Sequence, residues 1–225
     1  MNNMKNIKCV FTILSFLLMC CGIAQTEEIL DKNQIIEKLK LRFEGMNDFS
    51  ATIEQEKRIA LFNSSMFSTG LVMWKKPDKL FMAMNPPDAS QIFLSGNTLW
   101  LYYPDEKAAE KYVLKDTKYK PGFFSFCNPI QLVKPGNIQH ISISGDSIVL
   151  DLSTVAPLFK KITLYISKKD WLIQKLALVE KDGDSTVMTY TNALVNSGIA
   201  DQKFRFVPPQ GVKVSSVSDF KPPWQ

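Results

Sequence analysis

The feature that most constrains this chain is a long succession of short segments in which apolar and polar residues alternate. A period of two is typical of a β-strand that has one buried face. Glycine turns suited to hairpins join several of these segments, at residues 95–97, 145–146 and 182–184. The predicted strands are 49–54, 67–75, 79–85, 90–95, 98–103, 109–114, 138–144, 147–153, 160–166, 171–180 and 185–193.

This pattern predicts a mainly β fold. About eleven strands follow one another with little helix between them, which indicates a single antiparallel sheet. A sheet of that width must curl, split or close. One amphipathic helix is predicted before the first strand, over residues 33–45, with Asp31 or Asn33 as its cap and Gly45 at its end. Its apolar residues recur at near-helical spacing and are expected to pack on the sheet: Ile35, Ile36, Leu39, Leu41 and Phe43.

The first segment, residues 1–24, has the three parts of a secretory signal. Lys5 and Lys8 precede a mostly apolar run, and small residues lead up to a cut after Ala24. The apolar run is short for a transmembrane helix, which needs ~20 residues. We therefore expect one exported domain, residues 25–225, with a Pro-rich tail from Val207. A lipid anchor at Cys20 or Cys21, and an uncleaved anchor, remain as alternatives.

Charge and cysteine content exclude several function classes. The formal net charge of +5 falls to about +3 when Lys5 and Lys8 leave with the signal, which is too mild for a nucleic-acid partner. Cys127 is then the one remaining cysteine, so no intramolecular disulfide is possible. A small basic cluster at Lys75, Lys76 and Lys79 is interpreted as a solvated turn.

The residues of an enzyme are missing from the sequence. Two Gly-Asp-Ser triplets, at 145–147 and 183–185, resemble the start of a serine-hydrolase motif, but both stand where hairpin turns are expected. The one histidine, His140, is predicted within a strand, so the serines lack a general base. Cys127 is expected to be a small buried apolar residue. With no metal-ligand spacing and no phosphate-binding loop, we predict neither an enzyme nor a cofactor.

Two segments carry more apolar residues than a half-buried sheet needs. Residues 80–84 are apolar on both faces of their strand, and residues 115–137 form an apolar insert punctuated by prolines. One interpretation is a sheet with a helix on one face and a core on the other. The other is a curved sheet that encloses an apolar cavity, with 115–137 as its lid.

Four motifs then point to a family. Phe49–Gln55 matches the first strand of that family. Residues 71–81, LVMWKKPDKLF, resemble a family motif in which an aromatic residue is followed by Lys-Arg-Pro and then by a strand that contains Phe. SGNTLWLYYP at 95–104 and KFRFVPPQGVKV at 203–214 are similar to two further stretches of the same family, in the same order. The chain thereby resembles the periplasmic outer-membrane lipoprotein carriers, the LolA family.

This resemblance implies a fold and a task. The fold is an unclosed antiparallel β-barrel with a short helical lid over an apolar cavity. The task is that of a monomeric periplasmic carrier, which takes lipoproteins from an inner-membrane ABC transporter and delivers their acyl chains to an outer-membrane acceptor. The family's Arg that bonds to the lid corresponds to Lys76, the candidate lid latch, and Lys lacks the planar fork of Arg.

The candidate site follows from the same resemblance. The lid would present Phe123, Phe124, Phe126, Ile130 and Leu132. The wall of the lipid-binding cavity would contain Phe49, Ala51, Ile53, Met73, Phe81, Ala83, Leu94, Trp100, Ile162, Leu164 and Leu178.

Two other functions stay open for the same fold. The outer-membrane acceptor, LolB, would need an acylated N-terminus and an exposed apolar loop, whereas residues 85–89 are polar where that loop is expected. A non-enzymatic lipid-binding or sensory module is the other alternative.

Overall fold

The structure is a computed structural model that describes residues 31–87, 89–114, 132–153 and 159–217. The predicted signal segment, with Cys20 and Cys21, lies outside the described residues, as does Cys127. Among the described residues, no helix is both long enough and apolar enough to cross a bilayer.

The described residues contain the strands β1 Asp48–Ile59, β2 Ser64–Lys75, β3 Lys79–Met84, β4 Ser90–Ser95, β5 Thr98–Tyr103, β6 Ala108–Val113, β7 Ile138–Ser144, β8 Ser147–Leu152, β9 Phe159–Ser167, β10 Ile173–Glu180, β11 Ser185–Val195 and β12 Lys213–Val217. These twelve strands form one sheet in the order β12-β6-β5-β4-β3-β2-β1-β11-β10-β9-β8-β7. Strands β1–β6 and β7–β11 are two meanders of consecutive hairpins, and the pairing of β1 with β11 joins them. The sheet ends at β12 and β7 without closing, as an unclosed barrel does.

The eleven predicted strands are all present, and a twelfth was not predicted. Strand β12 pairs with β6 in the parallel sense, so the sheet is not antiparallel throughout. The prolines and glycine at 208–211 indicate an irregular chain end and do not predict a following strand. Their effect is instead to bring the chain to the free edge of β6, where the backbone N–H of Lys213 donates to the carbonyl of Lys107 at 2.8 Å.

The predicted helix is α1, Lys32–Glu44, and Asp31 is its cap. The Asp31 carboxylate accepts from the backbone N–H groups of Asn33 and Gln34, and the Gln34 side chain accepts from the backbone of Asp31 in return. This reciprocal capping box satisfies donors that the first helical turn leaves unpaired. The apolar residues Ile35, Leu39 and Phe43 are buried and fix which side of α1 packs inward.

The sheet has two distinct apolar faces. We call the face of Phe49, Ala51 and Ile53 the inner face; residues in register with these continue it across both meanders. Phe49, Trp74, Leu80, Leu94 and Leu99 form one row across β1–β5. Leu178, Ile162 and Leu152 form another across β10, β9 and β8.

The opposite, outer face of β2–β5 is covered by residues 197–209, which we call the strap. The strap contains a 3₁₀ helix, Asp201–Phe204, in which Phe204 is buried. Beyond it, the Phe206 ring lies 5.1 Å from the Phe93 and Trp100 rings and 5.0 Å from the Tyr102 ring, between centroids. The second apolar face of β3 is therefore explained by the strap, which the sequence did not predict.

Candidate functional site

The predicted wall residues divide between the two faces of the sheet. Seven lie on the inner face and are buried: Phe49, Ala51, Ile53, Leu94, Ile162, Leu164 and Leu178. Met73, Phe81, Ala83 and Trp100 lie on the outer face, because each is one residue out of phase with the inner rows. The structure does not bring these four to the same wall as the other seven. The register of the turn at residues 95–97, which opposes Leu94 to Leu99 and Phe93 to Trp100, is the signal that separates them.

Helix α1 covers part of the inner face closely. Phe43 and Phe49 line a gap of only about 10 Å³, together with Tyr190 of β11, Ile173 of β10 and the preceding Leu172. That volume holds about one water molecule. An acyl chain therefore has no room between α1 and the sheet at this point in this structure.

Both ends of α1 are tied down by lysine ammonium groups. At its start, Lys32 Nζ donates to the carbonyl of Ile138 on the edge strand β7 at 2.7 Å. At its end, Lys76 Nζ donates to the carbonyls of Phe43 and Glu44, at 3.0 and 2.9 Å. A cation at this end satisfies carbonyls that lack helical partners and complements the helix dipole.

The latch role predicted for Lys76 stays a prediction, since most of the lid lies outside the described residues. Of the five predicted lid residues, Leu132 is described and is half-buried. The other four, Phe123, Phe124, Phe126 and Ile130, lie outside the described residues. The Lys76 ammonium holds the C-terminal end of α1 through the carbonyls of Phe43 and Glu44.

The lysines of the basic cluster bond to the strap and to α1, so the interpretation of the cluster as a solvated turn was wrong. Lys75 Nζ and Lys79 Nζ contact the two carboxylate oxygens of Asp201 in the strap, at 2.8 and 2.6 Å. Lys75 also donates to the carbonyl of Ile199 at 2.8 Å. Hydrogen bonds from Lys75 and then Lys79 lower the pKa of Asp201 to about 2. The turn between β2 and β3 therefore holds the strap on the outer face and α1 on the inner face.

A buried carboxylate at the start of β1 was missed by the sequence analysis. Asp48 is 3% exposed and accepts from the backbone N–H groups of Ser197, Gly198 and Ile199, at 2.8, 3.0 and 3.3 Å. The side chain of Asn196 links the same place to the end of α1 by donating to the carbonyl of Gly45 at 2.9 Å. The Asn-Ser-Gly sequence at 196–198 is a turn signal, but the sequence gives no sign of its partner.

The inner face becomes polar at the β6 end. Tyr112, in register with Leu99, donates to Glu110 at 2.5 Å. Burial and then this hydrogen bond raise the pKa of Tyr112 to about 12. Burial, followed by the charges of Glu110 and Glu106, also raises the pKa of Tyr103. These groups form a polar rim beside an apolar floor, and both tyrosines stay neutral at physiological pH.

The residues of the hydrolase-like triplets have structural partners. Ser147 Oγ donates to Gln174 at 2.7 Å, and Asp184 accepts the backbone N–H of Ala60 at 2.9 Å. His140 is paired across strands with Asp151 rather than with a serine. Within the described ranges, no group of three His, Cys, Asp or Glu side chains is arranged to hold a metal ion.

A larger groove lies on the outer face, away from the residues discussed above. It has a volume of about 500 Å³, and its lining includes Glu54, Glu56, Phe67, Lys175 and Thr189. Charged groups on both sides of the groove make it a poor environment for an alkyl chain. The apolar inner face is therefore the better candidate site.

Comparison with known proteins agrees with this geometry. Residues 44–207 match the family described as outer membrane lipoprotein carrier protein LolA. The chain belongs to this family. The outer-membrane lipoprotein carrier protein of Cronobacter sakazakii is 29% identical over 177 residues, which cover 78% of this chain and 84% of that protein. The protein of the same name from Klebsiella pneumoniae is 28% identical over 177 residues, covering 78% and 85%.

A solved structure supports the fold. An uncharacterized conserved protein from Thermus thermophilus superposes with a TM-score of 0.51 at 11% identity, and the match covers 82% of this chain and 98% of that protein. The two chains therefore share a fold.

Proposed function

We propose that this LolA-family protein carries lipoproteins across the periplasm, with their acyl chains bound over the inner face of the sheet. The observation that carries the proposal is an apolar face that runs from β5 through β1 and β11 to β8 and is covered, among the described residues, by one helix. Burial stabilises an alkyl chain by ~0.8 kcal/mol per CH₂, so acyl chains do not cross water without a cover. The family match over residues 44–207 supports the same function.

The acyl chains would replace α1, or part of it, on the inner face. The gap of about 10 Å³ beneath Phe43 is far too small for them, so loading requires that side chains of α1 move off Phe49 and Tyr190. Polar bonds from Lys32 and Lys76 hold the two ends of α1. Such bonds contribute about 1 kcal/mol each, or up to 3 kcal/mol from a charged donor, a scale that an incoming acyl chain can offset.

The remaining parts of the proposal concern location and partners. The chain would be exported with cleavage after Ala24 and would act as a monomer in the periplasm. It would receive lipoproteins from an inner-membrane ABC transporter and pass them to an outer-membrane acceptor, without catalysing a reaction. Phe123, Phe124, Phe126, Ile130 and Leu132 would close over the cargo.

Photo-crosslinking tests which face binds the cargo. Benzoylphenylalanine at position 49 lies on the inner face, and at position 81 it lies on the outer face beneath the strap. When spheroplasts release an acylated lipoprotein to each variant, we expect crosslinks to the acyl chains from position 49 and not from position 81. Equal crosslinking from both positions, or no release of lipoprotein to the wild-type protein, would contradict the proposal.

The acceptor function is the alternative, and a labelling experiment separates the two. Residues 85–87, which precede β4, are exposed and include two prolines. An acceptor would incorporate a fatty-acid analogue at Cys20 or Cys21, whereas a soluble carrier would not. Depletion of the protein from cells gives a second readout, because loss of a carrier leaves outer-membrane lipoproteins at the inner membrane.

A further inference from the structure

The hairpin formed by β1 and β2 projects beyond β3 on one side, while β11 accompanies it as far as Arg58 on the other side. The two strands pair from Asp48 with Lys75 out to Ile59 with Ser64, whereas β3 pairs with β2 only from Gly70 to Lys75. The segment 64–69 therefore extends past β3 by about six residues, or roughly 20 Å at ~3.3 Å per residue. Its turn, residues 60–63, lies at the apex of this projection.

The apex carries exposed apolar side chains. Leu61 is 85% exposed and Phe62 is 71% exposed, and both are in the turn. Further along β2, beyond the exposed polar residues 63–65, Met66 is 37% and Phe67 is 68% exposed, on opposite faces of the strand. A groove on a protein takes one apolar stripe, whereas the hydrocarbon of a bilayer accepts apolar side chains that point in different directions. This arrangement favours a bilayer.

The backbone of the apex already has partners. The N–H of Asn63 donates to the carbonyl of Ala60 at 3.2 Å, and the N–H of Ala60 donates to the Asp184 carboxylate at 2.9 Å. The Arg58 guanidinium donates to the Asn63 side chain at 2.8 Å. These bonds hold the turn in one shape and reduce the number of polar groups that insertion would strip of water.

The charges near the apex are nearly balanced. Residues 57–67 contain Lys57 and Arg58, but Glu56 pairs with Phe67 and accepts a hydrogen bond from Ser65 Oγ at 3.1 Å. The neighbouring turn contains Lys181 beside Glu180, Asp182 and Asp184, and the Asp184 carboxylate bonds to the hairpin backbone. Attraction to lipid phosphates is therefore not part of the contact, which rests on the apolar side chains.

We propose that the β1–β2 hairpin tip is a membrane-contact element, in which Leu61 and Phe62 insert shallowly into a bilayer. Two apolar side chains give weak, reversible attachment, well below that of a lipid anchor. The protein would rest on a membrane surface briefly and then leave it. This contact does not depend on the acyl-binding function of the inner face.

Vesicle binding tests the contact directly. The probe is a suspension of phosphatidylethanolamine–phosphatidylglycerol vesicles, and the measurement is co-sedimentation of the purified exported protein. Replacing both Leu61→Ser and Phe62→Ser should weaken partitioning by about tenfold or more, since each side chain loses its burial in lipid. The exposed Leu194 and Val207 lie elsewhere, so Leu194→Ser and Val207→Ser are matched controls that should bind as wild type.

One further measurement tests insertion itself. Phe62→Trp should show a blue-shifted emission and quenching by brominated lipid on vesicle addition. Vesicle binding that is unchanged in the serine double variant would overturn the proposal. So would wild-type binding that needs a membrane protein and disappears with pure lipid.

Discussion

Asp48 illustrates at the residue scale how backbone N–H groups hold a buried carboxylate. The backbone N–H groups of Ser197, Gly198 and Ile199 converge on its carboxylate, and the Ser197 hydroxyl adds a further donor. Several charge-assisted bonds compensate for the water that the carboxylate has lost. The residue thereby fixes the start of the strap to the start of β1.

Replacing Asp48 by Asn should destabilise the fold by about 1–3 kcal/mol. The amide keeps one acceptor oxygen but turns an NH₂ group toward backbone donors that then lack a partner. The free energy of unfolding in urea measures the loss. The matched control is Asp105→Asn in the exposed turn between β5 and β6, which should be close to neutral; equal effects at the two sites would contradict this account.

The Asp201 carboxylate should titrate with a pKa of about 2 in the folded protein. Carbon-detected NMR of the side-chain carboxyl measures this value, and Lys75→Gln or Lys79→Gln should move the pKa back toward 3.8. Since the folded pKa is lowered, the stabilisation is complete above 3.8 and disappears as the pH falls toward 2. The stability difference between wild type and Asp201→Asn should shrink over that range; a difference independent of pH would refute the ion pair.

The lysine turn also marks the limit of sequence reasoning at this scale. Lys75, Lys76 and Lys79 are visible as a local cluster, but Asp201 lies more than 120 residues away. A charge partner so distant leaves no periodic signal in the sequence. The cluster was therefore interpreted as solvated until the structure supplied its partners.

At the scale of elements, β2 and β3 lie so close together that only glycine fits at position 70. A Cβ atom there would be 2.3 Å from the carbonyl oxygen of Ala83 and 2.7 Å from the sulfur of Met84. Gly70→Ala should force the two strands apart and destabilise the fold by about 1–3 kcal/mol or more. Gly136→Ala is the control, because nothing lies within 4 Å of its Cβ position. Equal melting temperatures for the two variants would show that the strands accommodate the methyl group.

Local patterns predicted α1 and eleven strands because each depends on residues adjacent in sequence. The division into faces needed more than the alternation itself. Met73 and Trp100 are apolar, as are their neighbours Trp74 and Leu99, and only the register across hairpins assigns each to a face. Strand β12 was not predicted because Pro208, Pro209 and Gly211 precede it and indicate an irregular chain end.

At the scale of the whole molecule, the strap acts as an outer layer whose central contact is Phe206. Its ring packs on three aromatic rings of β4 and β5, those of Phe93, Trp100 and Tyr102. Phe206→Ala should cost about 2–3 kcal/mol, somewhat less than for a fully buried Phe, and should speed amide hydrogen exchange in β12. Val207→Ala, at an exposed neighbouring position, should leave the free energy of unfolding and the amide exchange of β12 unchanged. Slow exchange in β12 of the Phe206→Ala variant would mean that β6 pairing alone holds the C-terminal strand.

The family resemblance predicted an unclosed sheet, but it did not predict that β1 and β11 join the two meanders. The pairing of β1 with β11 is invisible to periodicity, since each strand alternates in the same way whichever neighbour it has. The same holds for Asp48, whose partners lie about 150 residues further along the chain.

The seam between β1 and β11 has a consequence for how the molecule is made. Each meander pairs strands that leave the ribosome one after another, whereas the seam joins Phe49 to Val195. Contacts this distant in sequence form late, because the intervening chain must first be present. A chain made as far as β10 therefore has its first meander but no complete inner face, and that face forms only when β11 is present to pair with β1.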